Sequence, residues 1–195
     1  MYLGEKKLKN KTLFLVEVAI FTALALLLDI LPIGFKLWPQ GGSVSFAMIP
    51  IFIVAFRWGL KGGLLSGFLW GVLQVATGTA FIMHPVQGII EYGLAFTVVG
   101  LAGIVSKQVV ESIKGKQMKK AFSYILIGVF LGSAARFVCH YIAGMVFFGS
   151  AVDGQPAWLY SLIYNSSYMI PSFILSLIIV FLLFYKQPRT LTGKI

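Results

Sequence analysis

Glu91, His140 and Asn165 stand inside long apolar runs, where an ionisable or strongly polar side chain is costly and points to function. A carboxylate attracts a cation or accepts hydrogen bonds from an amine, and Asn165 and His140 offer directed hydrogen bonds. Tyr92 adjoins Glu91, while Trp70, Tyr160 and Tyr164 add the aromatic faces that hold cations and flat rings. The set suits a flat, positively charged organic molecule. Glu91 and His140 also suit a proton relay, the usual role of such pairs in pumps. Arg136 lies one helical turn before His140 and is placed to pair with Asp29 or Glu91. Glu91, His84 and His140 lack metal-ligand spacing, and no serine sits in a nucleophile context. No metal site and no enzyme is therefore expected. His84 falls in a connection and reads as solvated.

Such residues can share a site only if helices hold them inside a bilayer. Of 195 residues, 58% are hydrophobic and 11% charged, and mean hydropathy is +0.91, outside the range of soluble domains. A span needs roughly 20 apolar residues. The reading is an all-α membrane protein, a single membrane domain over 1–195 with six transmembrane helices at about 12–31, 46–60, 61–82, 85–106, 119–148 and 158–185. The basic start MYLGEKKLKNK resembles a signal peptide. The apolar run after it is long, contains Glu17 and ends at Asp29, Pro32 and Lys36 without a small-residue cleavage site, so it reads as a retained first helix.

The basic residues give the spans a direction. Apart from Lys36 and Arg136, every lysine and arginine falls at the N-terminus, near Arg57 and Lys61, in the 107–120 loop, or at the C-terminus. By the positive-inside rule both termini are cytoplasmic in a plasma membrane, and the loops near 34–45, 80–84 and 149–157 face outward. Glu91 is then six residues below Pro85, roughly 9 Å deep, and His140, Asn165 and Trp70 lie roughly 10–14 Å deep. Four helices thus place polar or aromatic groups at one level, as a common outward-facing pocket requires.

Other features read structurally. Gly63, Gly67 and Gly71, and Gly128 and Gly132, have helix-packing spacing, and Ala19 and Ala23 share one face of the first span. Cys139 reads as a small buried side chain, Glu17 as a partly solvated group, and Trp58 and Trp158 as members of the interfacial aromatic belt. Trp38, in the outer loop KLWPQGG, fits either the belt or a cover over the pocket. The basic residues form no stripe or groove of the kind that binds nucleic acid. There is no phosphate loop and no visible inverted repeat. A self-sufficient carrier is disfavoured, and ATP hydrolysis would fall to another subunit.

The stretches SVSFAMIPIFIVAFRWGLKGGLLSGFLWG, TGTAFIMHPVQGIIEYGLAF, ARFVCHYIAG and LYSLIYNSSYM, with Glu91-Tyr92, His140-x-x-x-Gly144 and Tyr160-x-x-x-x-Asn165, resemble the ThiT family. These are the thiamine-specific substrate-binding subunits, or S components, of energy-coupling factor (ECF) transporters. The resemblance implies a six-helix bundle that captures thiamine with high affinity outside a bacterial cell, binds no cofactor itself, and associates with a membrane coupling subunit and two ATPases. It implies that Glu91 holds the aminopyrimidine with Tyr160 and Asn165, that His140, Trp38, Trp70 and Tyr92 surround the thiazolium, and that Ala19 and Ala23 dock the coupling subunit. Gly144 belongs to the same motif. Phe148 stands near a position where the family is expected to place a stacking tryptophan. The alternatives are a proton-coupled carrier of a small organic cation and an S component for another vitamin.

Overall fold

The computed structural model describes residues 2–31, 34–38 and 41–192. Five helices among them are long and apolar enough to cross a membrane. They are α1 (Tyr2–Ile30, with its apolar part from Asn10), α2 (Met48–Ala76), α3 (Pro85–Lys114), α4 (Met118–Phe148) and α5 (Ala157–Lys186). A short helix α6 (Pro188–Thr192) follows. Between α1 and α2 lies an antiparallel hairpin of β1 (Phe35–Trp38) and β2 (Gly41–Val44), with Phe35 opposite Val44 and Trp38 opposite Gly41.

Where six spans were expected there are five long helices, because the second and third expected spans are joined within α2. The join is at Gly59, whose φ of 72° and ψ of −167° leave the helical region and suit glycine best. The chain folds back there. An ideal Cβ on Gly63 would lie 2.7 Å from the Cβ of Ala55, although eight residues of straight helix would separate them by roughly 12 Å. Asp29 accepts hydrogen bonds from Ser45, just before α2, and from Gln74, near its end, so both arms return to one end of the bundle. The arm 48–58 would rise only about 16 Å as a helix, about half of a hydrocarbon core, which is why length and hydropathy alone do not separate it.

The second arm of α2 packs against α3 with almost no side-chain spacer. A Cβ on Gly67 would fall 2.3 Å from the Phe96 carbonyl oxygen, and one on Gly71 only 1.8 Å from that of Tyr92. Lipid supplies no hydrophobic drive for helices to associate, so close backbone approach and dispersion must hold them. Gly132 plays the same part for α4, where a Cβ would sit 2.4 Å from the Val99 carbonyl oxygen. Cys139 is buried as a free thiol.

At the Gly59 end, Glu17 is not left to solvent. It accepts hydrogen bonds from the Arg57 guanidinium, one of them at 2.7 Å, and from the Trp58 indole at 2.6 Å. Trp58, read from the sequence as an interfacial aromatic alone, is thus a hydrogen-bond donor, and Phe14 meets it edge-on at 5.3 Å. Near the middle of α1, Thr22 shares a 2.8 Å hydrogen bond with Ser66. These contacts fasten α1 to the α2 turn, and both partners of the ion pair are mostly removed from water.

Gly71→Ala forces a methyl group onto the Tyr92 carbonyl. The expected cost is about 1–3 kcal/mol, typical of overpacking, visible as a lowered thermal midpoint of the detergent-solubilised protein. An alanine at Gly78, where a Cβ meets nothing within 4 Å, is expected to lose less through packing, and its cost reports its positive φ alone.

Candidate functional site

A cavity of about 610 Å³ opens at the β-hairpin end of the bundle. Of the residues proposed from the sequence, Glu91 and Tyr92 line it from α3, His140, Gly144 and Phe148 from α4, and Tyr160 and Asn165 from α5. Glu91 and Tyr92 lie in a π-helical turn, Ile89–Leu94, and Gly144 and Phe148 bound a second one, Gly144–Phe148. Such turns interrupt the α-helical register and are frequent at functional sites.

Glu91 is the centre of a polar chain. Its Oε2 accepts from the Gln87 amide, and its Oε1 lies 3.3 Å from His140 Nδ1. His140 Nε2 in turn faces Arg136 Nε at 3.2 Å. A guanidinium can only donate, so Nε2 must be the acceptor, Nδ1 carries the proton, and His140 is the neutral tautomer that donates to Glu91. Arg136 therefore bonds to the imidazole, where the sequence suggested a carboxylate partner. Its guanidinium also lies 4.5 Å from the Phe96 ring centre and 4.8 Å from that of Trp70, a cation–π arrangement.

Trp70 is fully buried and packs on Phe96 with ring centres 4.3 Å apart. It does not line the cavity; Phe96 and Arg136 do, with Trp70 behind them. The indole therefore shapes the wall through its neighbours. Trp38 occupies β1, and its side chain lies outside the described residues.

On α5, Tyr160, Tyr164 and Tyr168 follow one another at helical spacing and all line the cavity. Tyr160 and Tyr164 stack at 6.0 Å, and Tyr164 meets Tyr168 edge-on at 5.7 Å. The Tyr168 hydroxyl donates to Asn165 Oδ1 at 2.6 Å, while Asn165 Nδ2 donates to the Ser161 carbonyl at 2.8 Å. Asn165 is thus tied into the wall at both ends of its amide. Gly144 allows α4 and α5 to meet there, since a Cβ would lie 2.4 Å from Ser161 Oγ. Gly42 of β2, with φ of 70°, rests on the ring of Tyr168, where a Cβ would come within 2.8 Å. The hairpin therefore lies against the tyrosines.

The connection 77–84 closes another side. Phe81 N donates to the Tyr92 hydroxyl at 2.7 Å, Met83 N to Gln87 Oε1 at 3.0 Å, and Gln87 Nε2 to the Phe81 carbonyl at 3.0 Å. Phe81 stacks on Phe148 at 6.3 Å, and His84 on Phe147 at 5.3 Å. His84 is engaged as well as exposed: Nδ1 accepts from Val86 N at 3.2 Å and caps α3. Sequence reading missed Gln87, although its position one turn before Glu91 was a usable signal. It also missed Phe81, Phe96 and Tyr168, whose residue types are ordinary in a membrane helix or loop.

Gln87→Ala removes the partner of both the Met83 amide and the Phe81 carbonyl. The Met83 amide is expected to exchange with deuterium roughly tenfold faster, the effect of about one net hydrogen bond, as read by hydrogen–deuterium exchange of the 77–84 peptide.

Comparison with known proteins gives a consistent result. The sequence model of the family described as thiamine transporter protein (Thia_YuaJ) matches residues 15–192. Thiamine transporter ThiT of Bacillus subtilis is 47% identical over 178 residues, which cover 91% of this chain and 93% of that protein. Thiamine transporter ThiT of Lacticaseibacillus paracasei is 33% identical over 184 residues, covering 92% and 90%. A solved structure of ThiT from Listeria monocytogenes superposes with a TM-score of 0.87 at 35% identity, covering 94% of this chain and 98% of that one.

Proposed function

The chain belongs to the thiamine transporter protein family, and from that premise we propose that it captures thiamine in the cavity beside Glu91 for uptake into the cell. The observation that carries this reading is a carboxylate held by Gln87 and neutral His140 inside an aromatic enclosure. Glu91 accepts hydrogen bonds from the exocyclic amine of the aminopyrimidine. Tyr160 and Asn165 flank it, and Tyr92, His140, Gly144 and Phe148 line the remaining walls. Trp70 backs the Phe96 and Arg136 wall. The ligand is bound and released without chemistry on it, so this is a transport function and not an enzyme.

The two arms of α2 count as separate passes in this reading, giving six spans. The Gly59 end carries Arg57 and Lys61 and adjoins the lysine-rich 107–120 segment, which makes it the cytoplasmic face, with both termini there and the cavity outside. As an S component, the chain relies on a membrane coupling subunit and two ATPases for energy. Ala19 and Ala23 are exposed on α1, the least buried of the five long helices, as a docking surface for the coupling subunit requires.

A proton-coupled carrier is less well supported. The chain from Glu91 through His140 ends on Arg136, whose guanidinium does not give up its proton in proteins, so the relay has no continuation there.

Titration of the purified protein with thiamine is expected to quench tryptophan fluorescence with a saturable, sub-micromolar response; no saturable binding removes the assignment. Glu91→Gln is expected to weaken binding roughly tenfold to a hundredfold, the range for a hydrogen bond to a charged group. Trp58→Phe, at the Gly59 end, loses the indole hydrogen bond to Glu17 and is expected to lower the thermal midpoint while leaving affinity within about twofold, since it lies away from the cavity. The protein alone in liposomes is expected not to accumulate thiamine under a pH gradient.

A further inference from the structure

We propose that Asp29 is the counter-charge for the ligand's permanent cation, a recognition role separate from that of Glu91; the proposal rests on the thiamine reading. Asp29 lines the same cavity from α1, on a different wall from Glu91. It is held by two neutral donors, Ser45 Oγ at 3.0 Å and the Gln74 amide. Both donors are themselves oriented. Ser45 Oγ accepts from Ala47 N at 3.1 Å, which leaves its proton for Asp29. Gln74 Oε1 accepts from the Thr79 hydroxyl, which turns its NH₂ toward Asp29. The carboxylate thus sits in a built cradle, yet among the described residues it forms no ion pair.

Among the described residues, the charges around the cavity do not cancel. Asp29 and Glu91 each contribute one negative charge and Arg136 one positive charge, while His140 is neutral by its hydrogen-bond partners. Arg136 hydrogen-bonds to His140, lies over the faces of Phe96 and Trp70 and attracts Asp29 from a distance, so it balances one of the two carboxylates and not both. One negative charge is left over in a site walled by aromatic rings and by neutral hydroxyl and amide groups, none of which carries a charge to match it. A monovalent cationic ring removes that excess. Glu91 reads the amine of the ligand by hydrogen bonding, whereas Asp29 reads its charge.

The test compares thiamine with an isostere in which a neutral thiophene replaces the thiazolium. For Asp29→Asn, thiamine affinity is expected to fall roughly tenfold or more and that of the neutral isostere by less than about threefold, since only the first loses a Coulombic partner. Asp29→Glu is expected to keep the discrimination. Equal losses for the two ligands, or no loss for thiamine, overturn the proposal. Should Asp29→Asn fail to fold, the wild-type protein still decides: a thiamine affinity within about twofold of the isostere's overturns it, and a preference of roughly tenfold or more supports it. Absence of binding by either ligand to the wild type overturns the thiamine reading, and this proposal with it.

Discussion

Glu91 is a carboxylate within a membrane-spanning helix, and much of the site follows from the need to meet its charge and lone pairs there. Gln87 supplies one donor and His140 the other, and Arg136, by donating to Nε2, fixes the tautomer whose Nδ1 donates to Glu91. Gln87 is fully buried and also holds the backbone at Phe81 and Met83. The cavity wall and the 77–84 connection are therefore one polar circuit. A disturbance at Gln87 thus reaches both Glu91 and the Phe81–Met83 backbone.

That circuit needs helices at close range, and the glycines of α2 provide it. The approach of Gly67 and Gly71 to the α3 backbone brings Trp70 against Phe96, and Phe96 with Arg136 forms the surface next to His140. The fold-back at Gly59 lets one segment contribute at both its beginning and its end, which is how Ser45 and Gln74 reach the same carboxylate. At the other end Glu17, Arg57 and Trp58 fix α1 to that turn, so the wall carrying Asp29 is anchored from below.

Hydropathy marked the long helices because lipid demands continuous apolar length, and the glycine spacing marked where they touch. The polar level was legible too: depth along each helix put Glu91, His140 and Asn165 together, as depth follows directly from the rise per residue. Rotation about the helix axis was not legible. Trp70 shares the depth of the site and yet faces Phe96 from behind it. Partner choice was also hidden, because Glu17 and Arg57 are 40 residues apart in sequence, and the partners of Asp29 are 16 and 45 residues away. The resemblance to the ThiT family supplied roles for individual residues; the spacing of Gln87 one turn before Glu91 hinted at their contact, but not at its bonds to the Phe81 and Met83 backbone.

The π-helical turns at Ile89–Leu94 and Gly144–Phe148 carry a consequence of phase. Each widened turn sets the helix ahead of it out of step with the helix behind it, by up to the ~100° that one residue contributes in an α-helix. In α3 this lets one stretch keep Gln87 and Glu91 toward the cavity while the next seats the Tyr92 and Phe96 carbonyls against Gly71 and Gly67. The two demands are uncoupled in angle, so the cavity lining can be re-aimed by changes in the wide turn while the glycine seam stays as it is.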